Sequence, residues 1–174
     1  MQRIDVRSAW FESSGEQQMD RNDFIRKTIE LALENVKSGR GGPFGAVVVK
    51  DGQIIATGTN QVTSILDPTA HAEVVAIRRA CQALGNFELT GCEIYCSCEP
   101  CPMCLGAIYW SRPAQVIYAA TAAAAADAGF DDSFIKHQLC LPYAQQKLTI
   151  TQLVHKEAST PFEAWKSKVD KVVY

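Results

Sequence analysis

The chain has 174 residues, 47% hydrophobic and 21% charged, with 11 Gly and 7 Pro. This is the composition of one globular domain with at most a short appendage, and it excludes wholesale disorder and collagen-like structure. Lys plus Arg number 17 against 19 Asp plus Glu, a net charge of −2 with no run of like sign, which disfavours a strongly basic nucleic-acid binder.

Residues 1–18 carry no clean periodicity. Arg3, Asp5, Arg7 and Glu12 interrupt any signal-peptide core. No apolar run reaches the roughly 18 residues of a membrane span. Met19 stands directly before a well-formed helix, so 1–18 reads as a leader, either mobile or upstream of the true start, and 19–174 as the domain.

The first helix is predicted from Arg21 to Lys37, capped by Asp20 and stopped at Gly39. Its expected buried face is Ile25, Ile29, Ala32, Leu33 and Val36. The glycine-rich stretch around Pro43 is a tight entry into a strand that presents Phe44 toward a pocket. Gly45–Lys50 and Gln53–Asn60 read as strands joined by the type I′ turn signal Asp51-Gly52. A loop over 61–69 leads to a second helix, Ala70 to Leu84, closed by Gly85. Glu93–Ser97 is a third strand. A helix follows from Pro102 to Ser111, then a fourth strand, Gln115–Ala119. The alanine run 122–126 and Ser133–Leu141 read as helices, with Asp131-Asp132 as a capping pair before the second. Leu148–Leu153 alternates like a fifth strand, and Thr160-Pro161 opens a last helix. This order predicts an α/β fold, a mixed sheet with helices on both faces.

Seven cysteines, an odd number with no secretion signal, argue against a disulfide framework and for a cytoplasmic setting. Four of them, Cys96, Cys98, Cys101 and Cys104, cluster. Cys101-Pro-Met-Cys104 follows Pro100 at the start of a helix, and His71-Ala-Glu73 opens an earlier one. Together they match the zinc-deaminase signature H-x-E…P-C-x-x-C. His71, Cys101 and Cys104 supply three ligands and leave the fourth tetrahedral position open to water, as a catalytic zinc site requires. The helix dipole favours the thiolates, and two thiolates with a neutral imidazole neutralise the ion. Glu73 is placed to carry protons.

Two other readings use the same cysteines. Cys96, Cys98, Cys101 and Cys104 would form a closed structural zinc site, which leaves His71 and Glu73 idle. Cys98, Cys101 and Cys104 have a partial iron–sulfur spacing that lacks its fourth cysteine. Cys81 and Cys140 are expected as small buried apolar residues, and His137 and His155 as structural or surface groups.

Beyond the zinc motifs, Gly41–Ala46, Asp67–Glu73, Ser97–Trp110, Ala128–Phe134 and the tail Pro161–Trp165 ending in Tyr174 resemble the bacterial guanine deaminases of the cytidine/deoxycytidylate deaminase superfamily. The resemblance spans Met19 to Tyr174. It implies a three-layer α/β/α sandwich with a five-stranded mixed sheet and one Zn2+ per subunit. It also implies a homodimer in which the C-terminal segment, about 156–174, is exchanged with the partner and brings Tyr174 over its active site. The implied reaction is hydrolysis of guanine to xanthine and ammonia. A zinc-bound water attacks C2, Glu73 shuttles protons to N3, and Asp132 assists departure of the amine. Asn60 matches a polar contact to the base, and Phe44, His71 and Trp110 its aromatic walls. Ala72 and Tyr174 also fall at substrate-contact positions. The leader, the alanine run 122–126 and Cys140 depart from the family pattern. A tRNA adenosine deaminase, or a deaminase of another guanine-like aminated heterocycle, is the alternative consistent with the zinc motifs.

Overall fold

The computed structural model describes residues 19–174, and the leader 1–18 lies outside the described residues. The chain divides at Asp132 into two compact units, the second running from Ser133 to Tyr174.

In the first unit, helix α1 spans Arg21–Lys37. Asp20 accepts from the Asp23 amide at 2.9 Å and Asp23 accepts from the Asp20 amide at 3.0 Å, a reciprocal cap. Strands β1 (Gly45–Lys50) and β2 (Gln53–Thr59) follow. They are joined by Asp51 and Gly52, whose φ values of 50° and 76° are those of the expected type I′ turn. The loop after β2 contains a one-turn helix α2 (Val62–Ile65). Then come α3 (Ala72–Leu84), β3 (Cys92–Cys98), α4 (Pro102–Ser111), β4 (Gln115–Ala120) and α5 (Ala122–Asp127).

Among the described residues the sheet has four strands in the order β2-β1-β3-β4. β1 is antiparallel to both β2 and β3, and β3 is parallel to β4. Side chains of β1 alternate between the faces. Ala46 and Val48 join α3, Ile94 and Ile108 in one apolar core; Val47 and Val49 join Phe24 and Tyr95 under α1 in the other. The result is a three-layer α/β arrangement. At Gly58 a Cβ would lie 2.0 Å from the Ala72 carbonyl oxygen. Only glycine lets β2 press this close to the first turn of α3, and that contact seats His71 and Glu73 at the sheet edge.

Three expectations are corrected. α1 buries Phe24, Thr28, Ala32 and Asn35, whereas Ile29, Leu33 and Val36 are 41–54% exposed. Its apolar stripe is wider than the face that meets the sheet, and its outer edge lines an open apolar cavity of about 600 Å³ with Phe44, Ala124 and Phe130. The fifth strand does not form: Leu148–Leu153 lies in the second unit and takes no ladder partner among the described residues. An alternating sequence becomes a strand only where another strand satisfies its backbone groups. Finally, Cys81 is half-buried at the core margin and Cys140 is exposed.

The second unit contains α6 (Ser133–Leu139), a 3₁₀ turn at Tyr143–Gln145 and α7 (Thr160–Ser167). Pro161 sits in the first turn of α7, where its missing N–H costs nothing. Within this unit the Lys147 amide donates to Gln138 Oε1 at 2.6 Å, and Gln146 Nε2 donates to the Leu141 carbonyl at 3.0 Å. None of its residues is buried among the described residues. Leu153 and Val154 are more than 80% exposed.

Candidate active site

The loop before α3 is held locally. Asp67 accepts from the Thr69 amide and hydroxyl at 2.8 and 2.7 Å, and the Gln61 amide donates to the Ala70 carbonyl at 2.9 Å. His71 is therefore delivered as the N-cap of α3 with extended backbone, and Glu73 falls in the first turn. On the other side Cys101 is the N-cap of α4, with Pro102 behind it and Cys104 three residues on. Because α3 and α4 each begin where the chain leaves the sheet region, four chemistry-bearing side chains meet at two helix N-termini.

His71, Cys101 and Cys104 offer ligand atoms that all lie within 4.8 Å of one another. His71 Nδ1 is 3.5 Å from each of the two sulfurs. A tetrahedral shell with Zn–S about 2.3 Å and Zn–N about 2.0 Å places sulfur and nitrogen about 3.5 Å apart. The three groups thus stand at zinc-ligand spacing, and two sulfurs with one imidazole are a donor set zinc prefers. Among the described residues Cys96 and Cys98 are outside this group, which disposes of the four-cysteine reading.

The electrostatics of the cluster follow from contact. The Cys101 thiol is pulled down to about 4, first by the hydrogen bond that Cys104 donates to it, with His71 and the Cys104 amide adding to the effect. The same hydrogen bond, together with burial, pushes the Cys104 thiol up. His71 is raised by its hydrogen bond to Cys101, against the opposing effect of burial. Glu73 is 7% exposed, and burial raises its carboxyl above the ordinary carboxylate range. Cys104, Cys101 and His71 all lie close enough to act on it, so the carboxyl faces the cluster. A buried carboxyl that both gains and gives up a proton readily is what a proton carrier needs.

The other predicted residues divide. Asn60 is 8% exposed; its Oδ1 accepts from the Val62 amide at 3.3 Å, and its Nδ2 takes no partner among the described residues. Ala72 is buried, and its backbone N–H is one of the first-turn donors of α3 that the helix leaves unused. Phe44 is half-buried and packs edge-to-face on Phe130, with ring centroids 5.0 Å apart at 88°. Asp132, half-buried at the end of the first unit, is close enough to Cys98 to raise its thiol, after burial and other nearby groups. Trp110 lies six residues along α4 from Cys104, about 9 Å of axial rise, and is 66% exposed. Tyr174 belongs to the second unit and is 68% exposed.

Sequence reasoning missed Phe130 and Asn35. Phe130 stands next to the singled-out Asp131-Asp132, an aromatic beside a candidate acid, which was a usable signal. Asn35 sits among charged helix residues and gave none.

The family model for the cytidine and deoxycytidylate deaminase zinc-binding region matches residues 18–120. A guanine deaminase from Bacillus subtilis is 53% identical over 156 residues, 90% of this chain and all of that protein. The X-ray structure of guanine deaminase from Bacillus subtilis superposes with a TM-score of 0.88 at 52% identity, over 90% of this chain and 99% of the other. A tRNA-specific adenosine deaminase from Aquifex aeolicus is 41% identical over 59% of this chain and 67% of its own length. The match runs through both cysteines, His71 and Glu73, on a backbone that brings them to zinc spacing, and the chain belongs to the cytidine and deoxycytidylate deaminase zinc-binding family.

Proposed function

We propose that the protein hydrolyses guanine to xanthine and ammonia. The carrying observation is a buried carboxyl, Glu73, beside Cys104 at the edge of a zinc-spaced His71–Cys101–Cys104 cluster. The substrate class rests on whole-length similarity. The guanine deaminase match covers 90% of the chain, whereas the tRNA deaminase match covers 59%.

His71, Cys101 and Cys104 would hold a zinc ion, which would supply Lewis acidity and make water more acidic. Glu73 takes the proton from the attacking water and delivers it to N3 of the base as the C2–O bond forms. It then takes the remaining proton from the new C2 hydroxyl and gives it to the amine, so that the C2–N bond breaks, C2=O forms and ammonia leaves. Asp132 assists that last transfer. Asn60 Nδ2 and the Ala72 N–H donate to acceptors on the base, while Phe44, His71 and Trp110 wall the ring.

The tail, about 156–174, is exchanged between the subunits of a homodimer and brings Tyr174 over the partner's site. Two features support this. The second unit leaves its apolar side chains uncovered, and the first leaves open an apolar cavity beside Phe44. Two thiolate ligands and seven free cysteines suit a reducing, cytoplasmic setting. No helix among the described residues is long and apolar enough to cross a membrane.

The test is ammonia release by the zinc-loaded protein from guanine, with adenine, cytidine and a tRNA stem-loop in parallel. Guanine is expected to be preferred; faster conversion of the tRNA stem-loop would overturn the reading. Asp132→Asn is expected to lower kcat by about 10²-fold while raising KM much less, the pattern of a group that acts on the leaving amine. A change in KM alone would make Asp132 a binding residue. Removing Lys171–Tyr174 should cost on the order of tenfold in kcat/KM with zinc retained. Mixing that truncated chain with full-length Glu73→Gln tests the exchange. Activity returns if a tail acts on its partner's site and stays low if each tail serves its own subunit.

A further inference from the structure

We propose that Asn35 of α1 is a positioning residue for the base-binding wall, holding the entry to β1 and the exit from β2 in one register. The proposal rests on the reading above, in which Phe44 and Asn60 contact the base.

Asn35 is fully buried. Its Nδ2 donates twice, to the Gly42 carbonyl at 2.9 Å and to the Asn60 carbonyl at 2.8 Å. Both of its amide hydrogens are thus committed to main-chain oxygens of the two segments that carry the wall. Those segments are also tied to each other. The Asn60 amide donates to the Phe44 carbonyl at 3.2 Å, and within the first segment the Phe44 amide donates to the Gly42 carbonyl at 2.9 Å. The packing admits no side chain in between. A Cβ on Gly41 would lie 2.2 Å from the Asn60 carbonyl oxygen and 3.1 Å from Asn35 Nδ2. Asn35 Oδ1 has no partner among the described residues. A buried amide with an idle acceptor is a costly choice for packing alone, because an apolar side chain of similar size would avoid the desolvation. Its value lies in the two donated bonds.

The effect reaches the substrate through Asn60. The Asn60 backbone is clamped by Asn35, and its Oδ1 accepts from the Val62 amide. Its Nδ2 is thereby turned away from that amide and kept for the base. Releasing the clamp lets the Asn60 backbone and the Phe44 ring shift together, while His71, Cys101, Cys104 and Glu73, on α3 and α4, stay in place.

The experiment is a double-mutant cycle, Asn35→Ala with Asn60→Ala, measured at a temperature well below the melting point of every variant. Guanine is the substrate, or whichever compound of the panel above is deaminated, so failure of the guanine reading is seen first and separately. Asn35→Ala is expected to raise KM on the order of tenfold with kcat within a few-fold and zinc near one per chain. In the Asn60→Ala background the same substitution should change KM little. A lowered melting temperature with KM unchanged would overturn the proposal and leave Asn35 a structural residue. A KM effect of equal size in both backgrounds would overturn the route through Asn60. Should Asn35→Ala not fold, Asn35→Ser carries the same cycle. Failure of both to fold would assign Asn35 to the core and also overturn the proposal.

Discussion

Glu73→Gln is expected to retain zinc near one per chain and to lower kcat by about 10²–10⁴-fold. The amide keeps the size and hydrogen-bonding shape of the carboxyl but carries no titrating proton. Glu73 is not among the cluster of metal-ligating groups, so the ion should stay. Burial favours its protonated form, and the hydrogen bond from its own backbone amide in the first turn of α3 favours its anion. Losing a carboxyl balanced this way removes the carrier for both proton transfers. Near-normal turnover with zinc bound would mean that the cluster is structural and that the reaction assignment is wrong.

The second large effect is at Cys101. Cys101→Ala should bring zinc content well below one per chain and abolish turnover in proportion. The melting temperature should fall with it, because an ion bound only to the native state stabilises by about 4 kcal/mol at 1,000 times its dissociation constant. The variant removes the sulfur that Cys104 and His71 both contact, so those two groups lose their shared partner. Cys98→Ala is the control. Cys98 is bonded to the Thr121 carbonyl at 3.5 Å and lies outside the cluster, so zinc should remain. Zinc loss in Cys98→Ala as well as in Cys101→Ala would restore the four-cysteine site. Elemental analysis by mass spectrometry reads both variants.

The bounds of α1 and α4 were legible because their signals are short-range. Asp20 and Asp23 bond within one turn, and Pro102 sits where its ring is tolerated. The type I′ turn at Asp51-Gly52 is equally local. The ligand set was legible for a different reason. The His71-Ala-Glu73 and Cys101-Pro-Met-Cys104 motifs each occupy a helix start, so the spacing in sequence constrains the spacing in space. Phe44 was marked by the glycine-rich entry to β1, whereas Asn60 came from resemblance, and nothing in its neighbours' chemistry would have singled it out.

Sequence by itself determined the elements whose ends are written within four residues, and singled out the candidate metal-binding and proton-carrying groups. Those properties depend on caps, turn dihedrals and donor chemistry, all of which act locally. Tertiary structure alone decided which face of α1 is buried, that Leu148–Leu153 forms no strand in the sheet, that Phe44 pairs with Phe130, and that Asn35 clamps Asn60. Each of these turns on which surface a segment meets after the chain has folded back. Ile29, Leu33 and Val36 are as apolar as the residues that α1 does bury, and only the sheet beneath the helix distinguishes them.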